Sequence, residues 1–551
     1  MVKLVVTAAP PTSNGDLHLG HISGPYLGAD VFCRVRRQHG DEVLCVSYSD
    51  DLQSYVQRKA FQETGDSSEL PMKSESVARR FGLKMGESLS AAGIEYDIFM
   101  HTIESKSLLS ALEVFVNAVM FENLLFVKQA RIPFSNKHGV WGYEAFARGT
   151  CPNCGASTDT SQCESCAFPP EIDKMGDLRF VLDGSKFDMI EVNQLFLNVS
   201  ARRDFLKKQF AAMNCRPPLR AFCDNVLASE LPSWPITRPG DWGPELVDHP
   251  GSSFHTWFAG IAGYLASSMD WAKRSAKPDL WQHYWNDPQT GIVHFVGIDC
   301  AYSHAVVYPI LLSCLRDGPS VRQIYTNQFL TLDGHGFSTS RGLAIWAGDF
   351  FGQMNRDAVR FYLALQSPEL AEADFNLSSF ADTINDLFSH TLGAAIDRLR
   401  FYHSKTATSD GLSSPDLLSK VDDIRTEFLR CSGIDSFSMS GIARCAQNLI
   451  AVIRSADEGS LAQLLGVYAK IAVCLQPKFA SDLSRALNIS PKWGDQWLYN
   501  GTPPLPLQVT EFDIASLEQI EIPSVDLNKI QQFQDIVADI LERQLKTAVA
   551  V

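Results

Sequence analysis

Leu4-Val5-Val6 and Pro10-Pro11-Thr12-Ser13-Asn14-Gly15-Asp16-Leu17-His18-Leu19-Gly20-His21 open the chain, and their reading decides the fold. Val2 to Ala8 is mostly apolar and β-branched, the pattern of a buried strand. Asn14-Gly15 signals a turn, and Ile22 to Arg37 has helical spacing until Gly40 breaks the run. His18 and His21 stand one turn apart at the helix start. There, two imidazoles can hydrogen-bond phosphate oxygens while the helix N-terminus adds partial positive charge. Gly20 would let an adenine approach the backbone. The same four residues also suit an ordinary helix start with two solvated histidines. The strand–turn–helix setting favours a nucleotide site.

The same alternation recurs along the chain. Val43 to Ser47 reads as a second buried strand with Asp50-Asp51 at its C-terminal end. Gly291 to Gly297 is another, running into Ile298-Asp299, and Gln323 to Asn327 is a further one. Such a pattern predicts a doubly wound parallel sheet with ligands beyond the carboxyl ends of its strands. Asp299 is placed there for ribose hydroxyls, and His304, which alone would read as a core histidine, follows closely. Trp257 to Tyr264 is either core or the lining of an apolar side-chain pocket.

Cys151-Pro152-Asn153-Cys154 and Cys163-Glu164-Ser165-Cys166 form two C-x2-C pairs eight residues apart. Four thiolates at that spacing suit a closed, structural tetrahedral Zn²⁺ site; a redox pair is the weaker alternative. The other nine of the 13 cysteines are scattered, as buried thiols in a reducing compartment would be. With 551 residues, 45% hydrophobic and 20% charged, the chain suggests several globular units. No long apolar run predicts a membrane span, no basic leader opens the chain, and a cytoplasmic home is expected. The net charge of −15 gives no support to nucleic-acid binding, although a local basic patch would suffice. Arg34 to Arg37 and Arg202-Arg203 read as solvated helix faces.

From about residue 379 the spacing is helical: Phe380 to Tyr402, Leu417 to Leu429, Gly441 to Ser455 and Leu461 to Leu475. These predict a helix bundle. Pro503-Pro504-Leu505-Pro506 reads as a stiff linker. Val525 to Ala548 reads as an amphipathic helix with Ile530, Phe533, Ile536, Val537, Ile540 and Leu541 on one face.

In order, these motifs resemble the methionyl-tRNA synthetase family of class I aminoacyl-tRNA synthetases over nearly the whole chain. His18 to His21 resembles the HIGH motif, and Phe329 to Gly342, centred on Gly336-Phe337-Ser338-Thr339-Ser340, the KMSKS loop. The resemblance implies a Rossmann-like catalytic domain at 1–115 and 226–345, split by a zinc-knuckle insertion at 116–225. A stem-contact-like linker would follow at 346–378, a bundle resembling an anticodon-binding domain at 379–500, and a linker and C-terminal helix at 501–551. It implies ATP held by His18, Gly20, His21, Gly297, Asp299 and Phe337. His18, His21, Ser338, Ser340 and Arg341 would serve catalysis. Asp51 would grip the substrate's ammonium group. Ala9, Pro10, Thr12, Trp257, Gly260, Tyr264, Cys300 and His304 would complete the amino-acid site. With Mg²⁺, the carboxylate would attack ATP's α-phosphate to give an aminoacyl-adenylate and pyrophosphate.

Three departures stand out. Gly336 and Thr339 replace the loop's phosphate lysines, a loss comparable to the roughly 2.7–4 kcal/mol attached to one oxyanion donor. Thr12 and Pro10 replace the lid Tyr and its Leu neighbour, and Ala259-Gly260-Ile261 replaces Asp-Ala-Pro. Gly393 and Asp397 replace the anticodon-reading Asn and Arg, and the stacking Trp is missing between Ala451 and Leu461. The expectation is therefore an amino-acid-activating enzyme that ligates its adenylate to a small-molecule amine, hydroxyl or hydroxylamine in specialised metabolism, with N–N bond formation as one outcome. tRNA is disfavoured as acceptor, and a separate cupin-type partner would supply any further step. The alternatives are a methionine–tRNA ligase with drifted motifs and a non-catalytic nucleotide-binding module.

Overall fold

Five short segments, apolar enough to be covered on both faces, make the sheet that positions everything else. They are β1 (Lys3–Ala8), β2 (Glu42–Ser49), β3 (Ile98–His101), β4 (Gly291–Gly297) and β5 (Ser320–Asn327). All pairings are parallel, in the order β5-β4-β1-β2-β3. The order reverses between β1 and β4, and a doubly wound sheet opens its ligand crevice at that reversal. The computed structural model of the protein describes residues 1–246, 251–337, 344–403, 414–493, 509 and 512–549.

The first helix is interrupted where the sequence suggests a continuous run. A single turn, Leu19–His21, passes through a π-turn at Ile22–Tyr26, containing Pro25, into the regular helix Leu27–Gln38. The insertion begins later than residue 116, because the helix Leu108–Phe121 crosses that position. Its scaffold is a long antiparallel pair, Leu125–Ser135 with Asp188–Leu197. A smaller sheet, with Ala147–Thr150 in the middle, carries the cysteine pairs.

Residues 346–378 fold as the helices Ala347–Gln353 and Arg356–Leu365 and the strand Ala373–Phe375, sharing one core with the sheet and the bundle. The bundle helices are Pro415–Cys431, Met439–Arg454 and Leu461–Ala472, with a wide turn at Asn385–Gly393 inside the first predicted helix. Pro477 opens a further helix, Pro477–Ala486, because a first-turn proline lacks only an N–H that needs no partner. The last helix, Leu527–Val549, buries Ile530, Phe533 and Val537. Ile536 does not share that face; it is half exposed, lying off the i, i+3, i+7 stripe that meets the body. The Pro503–Pro506 linker lies outside the described residues. No described helix is long and apolar enough to cross a membrane.

Arg360 ties the first helix, the turn at Ala92-Gly93 and the bundle together. It is fully buried and donates to Asp30 (2.6 Å), to the Ala92 and Gly93 carbonyls (both 3.1 Å) and to the carbonyls of Leu475 (2.8 Å) and Cys474 (3.2 Å). That engages all of the guanidinium's donors. Asp30 also accepts Arg34 Nε and the Glu95 N–H, and these cations hold its carboxyl below the usual range against the pull of burial. Arg360→Met strands the Asp30 charge and is expected to cost about 3–5 kcal/mol in urea unfolding. Arg360→Met/Asp30→Leu should recover part of that loss.

Candidate active site

A cavity of about 550 Å³ opens at the C-terminal ends of β1, β2 and β4, a size ordinary for small-ligand sites. Residues from the first turn, the strand ends, the helix Thr256–Arg274 and the cysteine-bearing insertion all reach it. Of the residues singled out from the sequence, Ala9, Pro10, Thr12, His18, Gly20, His21, Trp257, Gly260, Tyr264, Gly297, Asp299, Cys300, His304 and Phe337 line it. Ser338, Ser340 and Arg341 lie outside the described residues.

The two histidines hold each other. His18 N–H donates to His21 Nδ1 (3.2 Å) and His21 N–H donates to His18 Nδ1 (3.3 Å). Both Nδ1 atoms are therefore acceptors, and each neutral ring carries its proton on Nε2. The rings stack 3.6 Å apart, and Phe337 stacks on His18 at 4.8 Å. Burial pushes His21 down to about 4 and His18 well below the ordinary imidazole range. The pair offers N–H donors, not positive charge. A Cβ on Gly20 would lie 3.1 Å from the Phe337 ring, so the glycine makes room for this stack.

At the other end, His304 Nδ1 lies 3.0 Å from the Cys300 carbonyl, to which it donates, leaving Nε2 to accept the Tyr264 hydroxyl at 2.8 Å. Tyr48, which sequence reading passed over as one more strand residue, donates to the Gly260 carbonyl. Its ring occupies the space a side chain at Gly263 would need.

The acidic pair at the end of β2 divides differently from expectation. Asp51 is fully buried off the cavity, with Oδ2 accepting the Ile103 N–H at 2.9 Å. Asp50 lines the cavity, accepts Gln53 Nε2 at 2.5 Å and lies 3.3 Å from where a Gly260 side chain would begin. Both lie just beyond the end of β2, Asp50 in an isolated bridge to Thr12 and Asp51 in the turn that follows, and the turn separates these neighbours. Burial, then the nearby Glu144 and Asp51, raises the Asp50 carboxyl to about 7. Burial and Glu164 raise Asp299 to about 6.

Sequence reading also missed the wall supplied by the insertion. Asp159, Gln162 and Glu164, in and beside the spacer between the cysteine pairs, line the cavity. Tyr55 donates to Asp159 at 2.9 Å, and Gln162 donates to the Asp299 carbonyl. Only contacts distant in sequence reveal this wall. The charged lining residues are Asp16, Asp50, Asp159, Glu164 and Asp299, with no lysine or arginine among the described ones.

Cys151, Cys154, Cys163 and Cys166 place their sulfur atoms within 4.8 Å of one another, with 3.9 Å and 3.6 Å across two pairs. Tetrahedral Zn–S bonds of about 2.3 Å imply S···S edges of about 3.8 Å, so the four thiols fit zinc.

Fold and site together define an ATP-dependent ligase built on the class I synthetase fold. The family model of tRNA synthetases class I (M) matches residues 4–400, and the chain belongs to that family. A methionine–tRNA ligase of Thermoplasma acidophilum is 30% identical over 402 residues, covering 72% of each chain. One from Thermomicrobium roseum is 30% identical over 403 residues, covering 72% of this chain and 67% of its own. Among solved structures, Mycobacterium tuberculosis methionyl-tRNA synthetase bound by methionyl-adenylate shares the fold, with a TM-score of 0.68 and 16% identity. That match covers 89% of this chain and 95% of the other.

The purified protein should carry about one zinc per chain by elemental analysis. Cys163→Ser should lose the metal and melt at lower temperature; metal-free protein of unchanged stability would exclude the site.

Proposed function

We propose that this cavity activates an α-amino acid with ATP, forming an aminoacyl-adenylate and pyrophosphate. The reciprocal His18–His21 cap carries the proposal, because it leaves two Nε2–H donors in a nucleotide-binding crevice. These donors would bind phosphate oxygens. Asp299, at the end of β4, would take the ribose hydroxyls, with Gly297 keeping the backbone low beside it. Asp50, in place of Asp51, would pair with the substrate ammonium. Trp257, Gly260, Tyr264, Cys300 and His304 would face the amino-acid side chain, with Ala9, Pro10 and Thr12 closing over it. Mg²⁺ bound to the nucleotide would supply phosphate-neutralising charge that the described lining residues do not carry.

The acceptor we propose is a small-molecule amine, hydroxyl or hydroxylamine. An acidic lining suits a neutral or cationic acceptor better than a polyanion. The bundle positions point the same way: Asp397 is exposed and paired with Arg400 at 2.8 Å, so it brings no cation of its own to a phosphate or base. The 30% identity to methionine–tRNA ligases favours a second reading, methionine transfer to tRNA.

ATP–pyrophosphate exchange across the common and several hydroxylated amino acids tests activation. Exchange is expected with at least one of them, falling about 10²-fold in His21→Ala. Robust, anticodon-dependent charging of a tRNA transcript with methionine would establish the second reading instead. The pH profile is a further check. A carboxyl raised to about 7 is neutral below that pH and cannot pair with ammonium, so kcat/KM for the amino acid should rise as pH climbs through 7. Asp50→Asn should flatten that rise.

A further inference from the structure

Tyr26 is the buried polar group of this cavity that the scheme above leaves unused. Its side chain is 3% exposed and lines the cavity, yet its hydroxyl has no hydrogen-bond partner among the described residues. The cavity's other buried tyrosines differ: Tyr48 donates to the Gly260 carbonyl and Tyr264 to His304. Tyr302 and Tyr308 also lack partners, but neither lines the cavity. The Tyr26 ring is buried while its hydroxyl opens onto the cavity without a protein partner among the described residues, which leaves that donor free for an atom of a bound ligand.

The backbone builds this aim deliberately. Tyr26 ends the π-turn Ile22–Tyr26, and such single wide turns re-register the residues beyond them and recur at functional sites. Gly24 inside the turn is held at φ −93°, ψ −110°, where a side chain would collide with Asn327. The Tyr26 carbonyl accepts the Tyr96 hydroxyl at 3.1 Å, which pins the end of the turn. The ring lies 6.5 Å from that of His21, and its hydroxyl feels the Asp299 carboxylate and the Cys300 thiol. On the reading above, His21 meets the phosphate, Asp299 the ribose and Cys300 the side-chain pocket. The group common to all three is the acyl-phosphate junction.

We propose that the Tyr26 hydroxyl donates a hydrogen bond to the acyl oxygen of the bound aminoacyl-adenylate and stabilises the oxyanion formed when the acceptor attacks. The acceptor's lone pair adds to the acyl carbon, and the carbonyl π electrons move onto that oxygen. Collapse then breaks the carbon–oxygen bond to phosphate, AMP leaves with the electron pair, and the acceptor's proton passes to solvent. Tyr26 keeps its own proton throughout, as a neutral donor must, and burial supports this by raising the phenol well above its ordinary range.

This inference rests on the adenylation reading, and one experiment separates the two. The amino acid giving the strongest pyrophosphate exchange is loaded as adenylate on the full chain, and hydroxylamine serves as the probe acceptor. Hydroxamate and AMP are followed in a single turnover. Tyr26→Phe is expected to slow transfer about 10²-fold, a larger loss than it causes in exchange, because the oxyanion forms only in the transfer step. Its melting temperature should stay level, because the hydroxyl has no described protein partner to lose. Absence of exchange in the unsubstituted protein overturns the adenylation reading and this inference with it. Normal exchange with hydroxamate formation unchanged in Tyr26→Phe overturns the inference alone. A melting temperature lowered by several degrees does so too, since it would assign the hydroxyl a structural partner.

Discussion

Arg360 and Asp30 form the join on which the remaining architecture depends. The arginine sits where the first helix, the loop at Ala92 and Gly93, and the chain at Cys474 and Leu475 converge, and its donors close all three at once. A charge so deep is tolerable only because every N–H has an acceptor and the carboxylate has a second cation in Arg34. The helix so fixed begins at His18 and His21. The geometry of the nucleotide end of the cavity is thus tied, through one guanidinium, to a bundle whose centre lies hundreds of residues later.

The electrostatics of the cavity follow from burial more than from pairing. Buried histidines are neutral donors, and buried carboxyls at the ends of β2 and β4 rise toward neutrality. Among the described residues, such a lining holds no lysine or arginine and is rich in directional hydrogen bonds. On the proposed reading it would orient a triphosphate and a ribose through neutral donors and acceptors. The wall supplied by the insertion deepens this character, since Asp159 and Glu164 come from beside the proposed zinc ligands. Whatever holds the four sulfurs together also holds that wall in place.

Much of the framework was legible from residue order. The parallel strands, the cysteine cluster, the His18–His21 turn and most bundle helices follow from periods of two and 3.6 residues and from short spacings, all local quantities. The site was legible where it lies within a few residues of a strand end, as for Asp299, Cys300 and His304. It was illegible where partners are far apart: Tyr48 against Gly260, Gln162 against the Asp299 carbonyl, and Arg360 against Asp30. Ile536 illustrates the same limit within one helix. Apolar character placed it on the packed stripe, whereas the surface it meets leaves it half exposed.

The sequence by itself determined the fold class, the family and the position of the His18–His21 turn, because each is carried by a short run of residues with its own local geometry. Tertiary structure alone decided which of Asp50 and Asp51 reaches the cavity, that burial and mutual capping favour neutral histidines, and that a π-turn ends in a Tyr26 lining the cavity. Those outcomes depend on how a turn leaves a strand end, how deeply a ring is buried and what lies opposite a hydroxyl. Each is a property of packing between segments that the chain keeps far apart.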